Sequence, residues 1–395
     1  MEPALSEAAT SPDTWATRLV CSRTGAVLPL DRPAFLSAAG APLFVEYDLD
    51  PARGEQLRQA LPDRPWTLWR YKELLPLSNF ENRVDLGEGG TPLVRLRRLV
   101  PVPDVELYVK DESLNPTGSF KARGLSLAVN RARELGAPGV QLASAGNAAL
   151  ALAAYAAAAG LPARLAMPED TPASIFARCR EHGAEVFSSP GTLVDAAKLL
   201  PPPETDGFWN LSTLREPYRV EGKKTMGLEL AEQLGWDLPD WIVYPLGGGT
   251  GIVGMHKAFD EISRLALLRS GARRPRFVIV QMAGCAPMVR AFERGEETAE
   301  PWADPHTRAW GLRVPRAIGD FLVLRAVRAS GGRALAIAEE RLPEIAARAA
   351  RLEGIRTGPE GAAALAAVED LAAAHEFRPG ERVVVFQTGH PDNYL

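Results

Sequence analysis

Lys121 is the residue around which chemistry can be organised. It stands in KDESLNPTGSFKARG, residues 110–124, which reads as the end of a strand, a tight polar loop and the first turn of a helix. Thr117 or Ser119 can cap that helix, because a hydroxyl there accepts the unpaired amides of the first turn. A cation in a first turn meets the positive end of the helix dipole. The placement predicts a lowered pKa, which is what a lysine needs to form a Schiff base. The plain alternative is a solvated lysine near a helix start.

Two further loops offer anion sites. SAGNA, residues 144–148, joins a strand to a helix N-terminus. Backbone amides there can bind an anion, and Gly146 allows close approach; the alternative is a mere strand–helix connection. GGGTG, formed by Gly247, Gly248, Gly249, Thr250 and Gly251, follows the apolar strand DWIVYPL and opens a helix. That arrangement cradles a phosphate with backbone amides. It lacks the Lys-Ser/Thr pair of a nucleoside-triphosphate loop. Read as GTGIVG, residues 249–254 satisfy the dinucleotide fingerprint, but the next strand, RFVIVQ, ends in Gln281 where a ribose-binding acid is required. A single terminal phosphate fits better than NAD.

The elements that must position these loops alternate along the chain. Strands are predicted at 105–110, 140–143, 163–167, 185–188, 240–245, 276–281 and 382–387. Helices are predicted at 120–135, 148–159, 174–181, 222–234, 252–268, near 334–351 and at 360–375. Such alternation specifies an α/β fold with open, mostly parallel twisted sheets and flanking helices. Residues 1–14 read as a loose tail, 43–48 as a strand, and Trp66, Trp69 and Tyr71 as a core or contact cluster. The division expected is an N-terminal segment, 1–100, packed on the larger unit; a smaller α/β unit, 101–222, carrying the lysine and asparagine loops; and a larger one, 223–395, carrying the glycine loop.

The 395 residues are 46% apolar with a net charge of -4, and basic residues form no run. This composition excludes an electrostatic nucleic-acid footprint. The longest apolar stretch, 148–160, is too short to span a bilayer. The acidic N-terminus has no signal pattern. Cys21, Cys179 and Cys285 are too few and too scattered for a disulfide framework, which points to a reducing cytoplasm.

The run NPTGSFKARG, with LGEGGTPLV upstream, resembles the lysine motif of the fold-type II pyridoxal-phosphate (PLP) enzymes, and is most similar to the threonine synthase group. The resemblance covers residues 85–395. It implies that Lys121 holds the cofactor as a Schiff base in a cleft between two domains. It implies also that Asn147 bonds the cofactor's phenolic oxygen, that residues 247–251 bind its phosphate, and that Thr388 bonds the pyridine nitrogen. The turn Ser144, Ala145, Gly146 and Ala148 would hold the substrate carboxylate. Arg219, in EPYRVEGKKT, matches a segment that binds the substrate's distal phosphate; the alternative is a salt bridge to Glu216 or Glu221. The family is usually dimeric.

Three departures accompany the likeness. Cys21 stands without the second cysteine of the knuckle found in many relatives of this group, so no metal is expected. The tail after Thr388 is HPDNYL rather than glycine-rich, and His390 is read as surface. Ala145 and Ala148 replace the usual loop threonines, and SFKARG replaces SFKDRG. The implied reaction is conversion of O-phospho-L-homoserine and water to L-threonine and phosphate. The alternatives are β-elimination or β-replacement on serine, threonine or an activated serine, and a PLP-binding regulatory protein without turnover.

Overall fold

The computed structural model describes residues 13–99 and 102–394. A six-stranded sheet runs in the order Arg333–Ile337, Arg276–Met282, Trp241–Pro245, Arg382–Gln387, Glu106–Asp111 and Leu93–Leu96; only the last strand is antiparallel to its neighbour. A parallel four-stranded sheet orders Glu185–Ser189, Ala163–Pro168, Val140–Ala143 and Trp209–Asn210. A third, antiparallel sheet joins Val27–Leu28, Ala16–Cys21 and Leu43–Tyr47. The α/β class with two open, mostly parallel sheets holds, and the small antiparallel sheet adds to it.

The strand that leads to Lys121 sits in the six-stranded sheet. Val384 pairs with Tyr108 and Gln387 with Asp111. Sheet membership therefore does not change at residue 101; the chain leaves the larger sheet at Asp111, where the lysine loop begins. The cause is packing: Leu107 and Val109 are buried in one core with Trp241, Val243 and Val383 of the neighbouring strands. Leu19, Leu43, Val45 and Tyr47 of the small sheet share a core with Ala122, Leu125 and Ala128 of helix Lys121–Glu134 and with the alanine-rich helix Asn147–Ala159.

Most expected elements form within a few residues of their predicted limits, and two readings need correction. Residues 333–337 are not helical: Arg333–Ile337 is an edge strand parallel to Arg276–Met282, and the helix begins at Leu342. Leu335 and Ile337 alternate with alanines, a period-2 signal too short to outweigh the alanine content that suggests a helix, so pairing decided it. Most of the predicted N-terminal tail lies outside the described residues, but Thr14 is buried, its hydroxyl donating to the Leu75 carbonyl at 2.6 Å.

Helix Tyr218–Gln233 begins four residues earlier than predicted and crosses helix Lys121–Glu134 at close range. A Cβ on Gly222 would enter the backbone of Arg123 and Gly124. This crossing brings Arg219 and Lys223 to the level of Lys121.

Candidate active site

A pocket of roughly 420 Å³, partly open to solvent, lies where these elements converge. Lys121, Asn147, the glycine loop 247–251 and Thr388 all line it. Four segments that are far apart in the chain thus meet at one cavity.

Lys121 is the first residue of its helix. The Ser119 hydroxyl accepts its amide at 3.4 Å, whereas Thr117 lies at φ 61 with its hydroxyl buried and without a partner among the described residues, so of the two predicted caps Ser119 is the one used. Burial first, and then the nearby Arg219 charge, bring the Lys121 amine down to about 7, with Glu360 opposing them. The direction is the one the sequence predicts; the main cause is desolvation rather than the helix dipole.

The glycine loop caps helix Thr250–Arg264, whose first-turn amides have no intrahelical acceptors. Each of its glycines is closely packed. A Cβ on Gly248 would lie 2.6 Å from Thr213 Cγ2, one on Gly247 would meet the Gly311 carbonyl, and one on Gly251 the Tyr244 ring. Gly249 has φ 86, which other residues rarely adopt. The open side of the loop is the pocket. Gln281, where a dinucleotide site needs an acid, uses its Oε1 to accept Met288 N at 2.9 Å and Val289 N at 3.2 Å.

Asn147 opens its helix, and its Oδ1 accepts from Asn393 Nδ2 at 2.9 Å. The Ser144 amide bonds the Ala166 carbonyl, and Ala148 is buried. Ser144, Ala145, Gly146 and Ala148 thus flank the pocket wall without lining the cavity itself. Thr388 is buried, and its carbonyl accepts the Phe120 amide at 3.1 Å.

Arg219 is 2% exposed, and its Nη1 donates to the Leu211 carbonyl at 2.7 Å. Nε and Nη2 are buried without acceptors among the described residues. Neither expected salt bridge forms. Glu216 instead accepts the amides of Tyr218 at 2.6 Å and Arg219 at 3.1 Å, and Glu221 pairs with Lys224 and Lys257. Burial pushes the Glu216 carboxyl up to about 7 against the pull of Arg219.

Several pocket residues escaped the sequence reading. Glu360 is buried, lines the cavity and accepts the Gly311 amide at 2.9 Å. The Tyr244 hydroxyl is buried without a partner among the described residues. Lys223 is fully buried, donates to the Phe120 carbonyl and lies 3.5 Å from that ring's centre; burial, then Lys121 and Arg219, keep it well below the usual lysine range. The sequence did not single out Lys223, because helix Tyr218–Gln233 also carries Arg219, Glu221, Lys224, Glu229 and Glu232. His390, read as surface, is half-buried, and Asn393 of the same tail is buried beside the lysine loop.

An amine of low proton affinity, a glycine cradle for one phosphate, an amide and a hydroxyl around a small cavity together fit a phosphorylated aromatic aldehyde. The family described as pyridoxal-phosphate dependent enzyme matches residues 84–389. The chain is 33% identical to a threonine synthase of Methanocaldococcus jannaschii over 94% of its own length and 91% of that protein. It is 36% identical to a threonine synthase of Methanosarcina acetivorans, covering 85% and 81% of the two chains. Among solved structures, a threonine deaminase from T.th. superposes with a TM-score of 0.62 at 28% identity, covering 76% of this chain and 92% of that one.

Proposed function

Because the chain belongs to the family of pyridoxal-phosphate dependent enzymes, we propose that it converts O-phospho-L-homoserine and water to L-threonine and phosphate. Two relatives named threonine synthase span most of the chain. The observation that carries the substrate is Arg219: a buried guanidinium beside the lysine, with two nitrogens that no acceptor among the described residues satisfies. Leaving such donors unpaired is costly, and a phosphate on the substrate supplies two oxygens in the geometry that guanidinium prefers.

In this reading the amides of Gly247, Gly248, Gly249, Thr250 and Gly251 hold the cofactor phosphate. Asn147 bonds the ring oxygen and the Thr388 hydroxyl the ring nitrogen. When bound, pyridoxal phosphate supplies an electron sink for negative charge developing at the substrate's α-carbon. Lys121 would hold the cofactor at its aldehyde carbon. Its amine, which burial holds at about 7 in the unloaded protein so that about half is neutral at that pH, would serve as the base for the Cα proton. The turn at Ser144, Ala145, Gly146 and Ala148 would hold the carboxylate through the amides other than that of Ser144, which is committed to the Ala166 carbonyl. With alanine at 145 and 148, that turn contributes no hydroxyl from those positions for proton transfer, which leaves the later proton movements to Lys121. Arg219 holds the leaving phosphate.

The second reading is β-elimination or β-replacement on serine, threonine or an activated serine. Ala145 and Ala148 favour it, as does the likeness to a threonine deaminase. Purified protein incubated with O-phosphohomoserine, threonine and O-activated serines separates the two. Threonine and phosphate from the first substrate are expected; a keto acid or a β-substituted product without phosphate release would put the second reading in its place. Arg219→Met is expected to weaken kcat/KM for the phosphorylated substrate by about 100-fold, the scale of a lost charge-assisted bond pair. Three buried cysteines with free thiols support a reducing cytoplasm. The resemblance supports a homodimer, which light scattering of the holoenzyme measures.

A further inference from the structure

We propose that Asn393 and Arg178 set which end of the Asn147 amide faces the cofactor, so that the C-terminal segment positions a cofactor ligand. The proposal rests on the reading of Asn147 as a bond donor to the cofactor's ring oxygen.

The reason lies in donors and acceptors. Arg178, on helix Ala173–Glu181, can only donate, and its Nη1 lies 2.8 Å from Asn393 Oδ1. That end of the Asn393 amide is therefore oxygen. The other end is surrounded by acceptors: the Thr117 carbonyl at 3.0 Å, the Gly118 carbonyl at 3.3 Å and Asn147 Oδ1 at 2.9 Å. An oxygen in that position would face two backbone carbonyls, so it is nitrogen. The Asn147 atom that meets it must then be the acceptor. The opposite end of the Asn147 side chain is an amino group, and an amino group donates. An ionised ring oxygen on the cofactor is an acceptor, so the polarity set at Arg178 is the polarity the cofactor requires.

The same side chain ties together the two loops that hold the cofactor. Thr117 and Gly118 belong to the lysine loop and Asn147 to the asparagine loop. The C-terminal segment is anchored by its backbone: Phe120 N donates to Thr388 O at 3.1 Å and His390 N to Gly118 O at 2.8 Å. A Cβ on Gly118 would lie 2.9 Å from Asn393 Nδ2, so the fit is close. Asn393 and Arg178 are positioning residues; neither lines the cavity.

The test compares holoenzymes of Asn393→Asp, Arg178→Met, Arg178→Lys and Asn147→Ala, by the visible absorbance of the bound cofactor and by kcat and KM. Asn393→Asp replaces the donor by an acceptor. It is expected to move the absorbance band in the direction that Asn147→Ala does, and to lower kcat about 10- to 100-fold while KM changes by no more than about threefold. The double variant Asn147→Ala with Asn393→Asp should match Asn147→Ala alone. Arg178→Lys, which keeps a donor, should recover most of what Arg178→Met loses. If Asn393→Asp does not fold, the two Arg178 variants decide by the same absorbance and kinetic measures. Wild-type absorbance and kcat in Asn393→Asp and Arg178→Met, with Asn147→Ala altered, would overturn the relay and leave the reading of Asn147 standing. An unaltered Asn147→Ala would overturn both.

Discussion

At Lys121 the chain keeps an amine where water would keep an ammonium. Burial and the Arg219 charge hold its pKa at about 7 in the free protein. The unfolded chain returns it to the ordinary value near 10.4. A lysine whose folded pKa is depressed destabilises the protein most below the folded pKa. The penalty fades as pH rises from about 7 toward 10, because in that window only the unfolded state still binds the proton. Each tenfold loss of proton affinity corresponds to about 1.4 kcal/mol. Allowing for the lysine's partial solvent contact, the penalty is on the order of 3 kcal/mol at pH 6. Cofactor-free Lys121→Met is thus expected to melt above the wild type at pH 6 and to lose most of that advantage by pH 9.5, as scanning calorimetry would read. Equal differences at both pH values would contradict the depressed amine. The same variant should show no visible cofactor band. Arg219 stands in a similar position: its buried, half-satisfied guanidinium is retained at a cost to stability, as expected for a group whose partner arrives with the substrate.

The proposed phosphate site is made by an element, the glycine loop, rather than by a residue. Its glycines line the cavity together with Thr213, Tyr244 and Gly311, and these three and Val323 press against them. The requirement differs by position. Gly249 needs its positive φ, which no change in a neighbour can relieve. Gly248 needs only space, because Thr213 Cγ2 fills the place of its Cβ. Gly248→Ala should therefore cost about 1–3 kcal/mol by overpacking, and Thr213→Ser, which deletes that methyl, should restore at least half of it. Gly249→Ala should gain nothing from Val323→Ala beyond relief of contact, and should remain poor in cofactor affinity. Urea denaturation of the four single variants and two doubles measures the coupling. Additive losses at Gly248 and Thr213 would sink the packing explanation.

Across the whole molecule, the lysine helix is held by a buried set of charges that balances. Lys110 lies near the end of a strand of the larger sheet, Glu112 follows that strand, Arg123 lies on the lysine helix and Glu229 on helix Tyr218–Gln233; all four are buried. Arg123 reaches Glu112 at 2.6 Å and Glu229 at 2.6 Å, while Lys110 reaches Glu229 at 2.9 Å. Burial alone would raise the Glu229 carboxyl, but Arg123 and Lys110 outweigh it and hold it far below the carboxylate range. Such a depressed acid contributes stability that is present above the unfolded pKa of about 4.3 and is lost as pH falls below it. Glu229→Gln leaves Lys110 and Arg123 short of one negative charge and should cost about 3–5 kcal/mol at pH 7. Its stability should also fall less steeply than that of the wild type between about pH 4.5 and 3, which acid titration of the unfolding midpoint would show. Parallel acid curves would mean that Glu229 does not carry this dependence.

By itself the sequence determined the three loops, the alternating elements and the class of cofactor. Each of those signals is local: a strand, a turn with the right glycines and a helix start lie within about 15 residues of one another. Lys121 and the glycines 247–251 are legible for that reason, whereas Asn147 and Thr388 were singled out by the family resemblance; the structure brings all of them to one pocket. What depended on tertiary structure involves partners far apart in the chain. Glu360 reaches Gly311, Asn393 reaches Asn147, and Arg333–Ile337 becomes a strand by pairing with Arg276–Met282. The state of Arg219 was undecidable from EPYRVEGKKT, because both candidate acids are its neighbours in sequence. Folding committed one of them to backbone amides and the other to two lysines, and left the guanidinium beside the site with two nitrogens that no acceptor among the described residues satisfies.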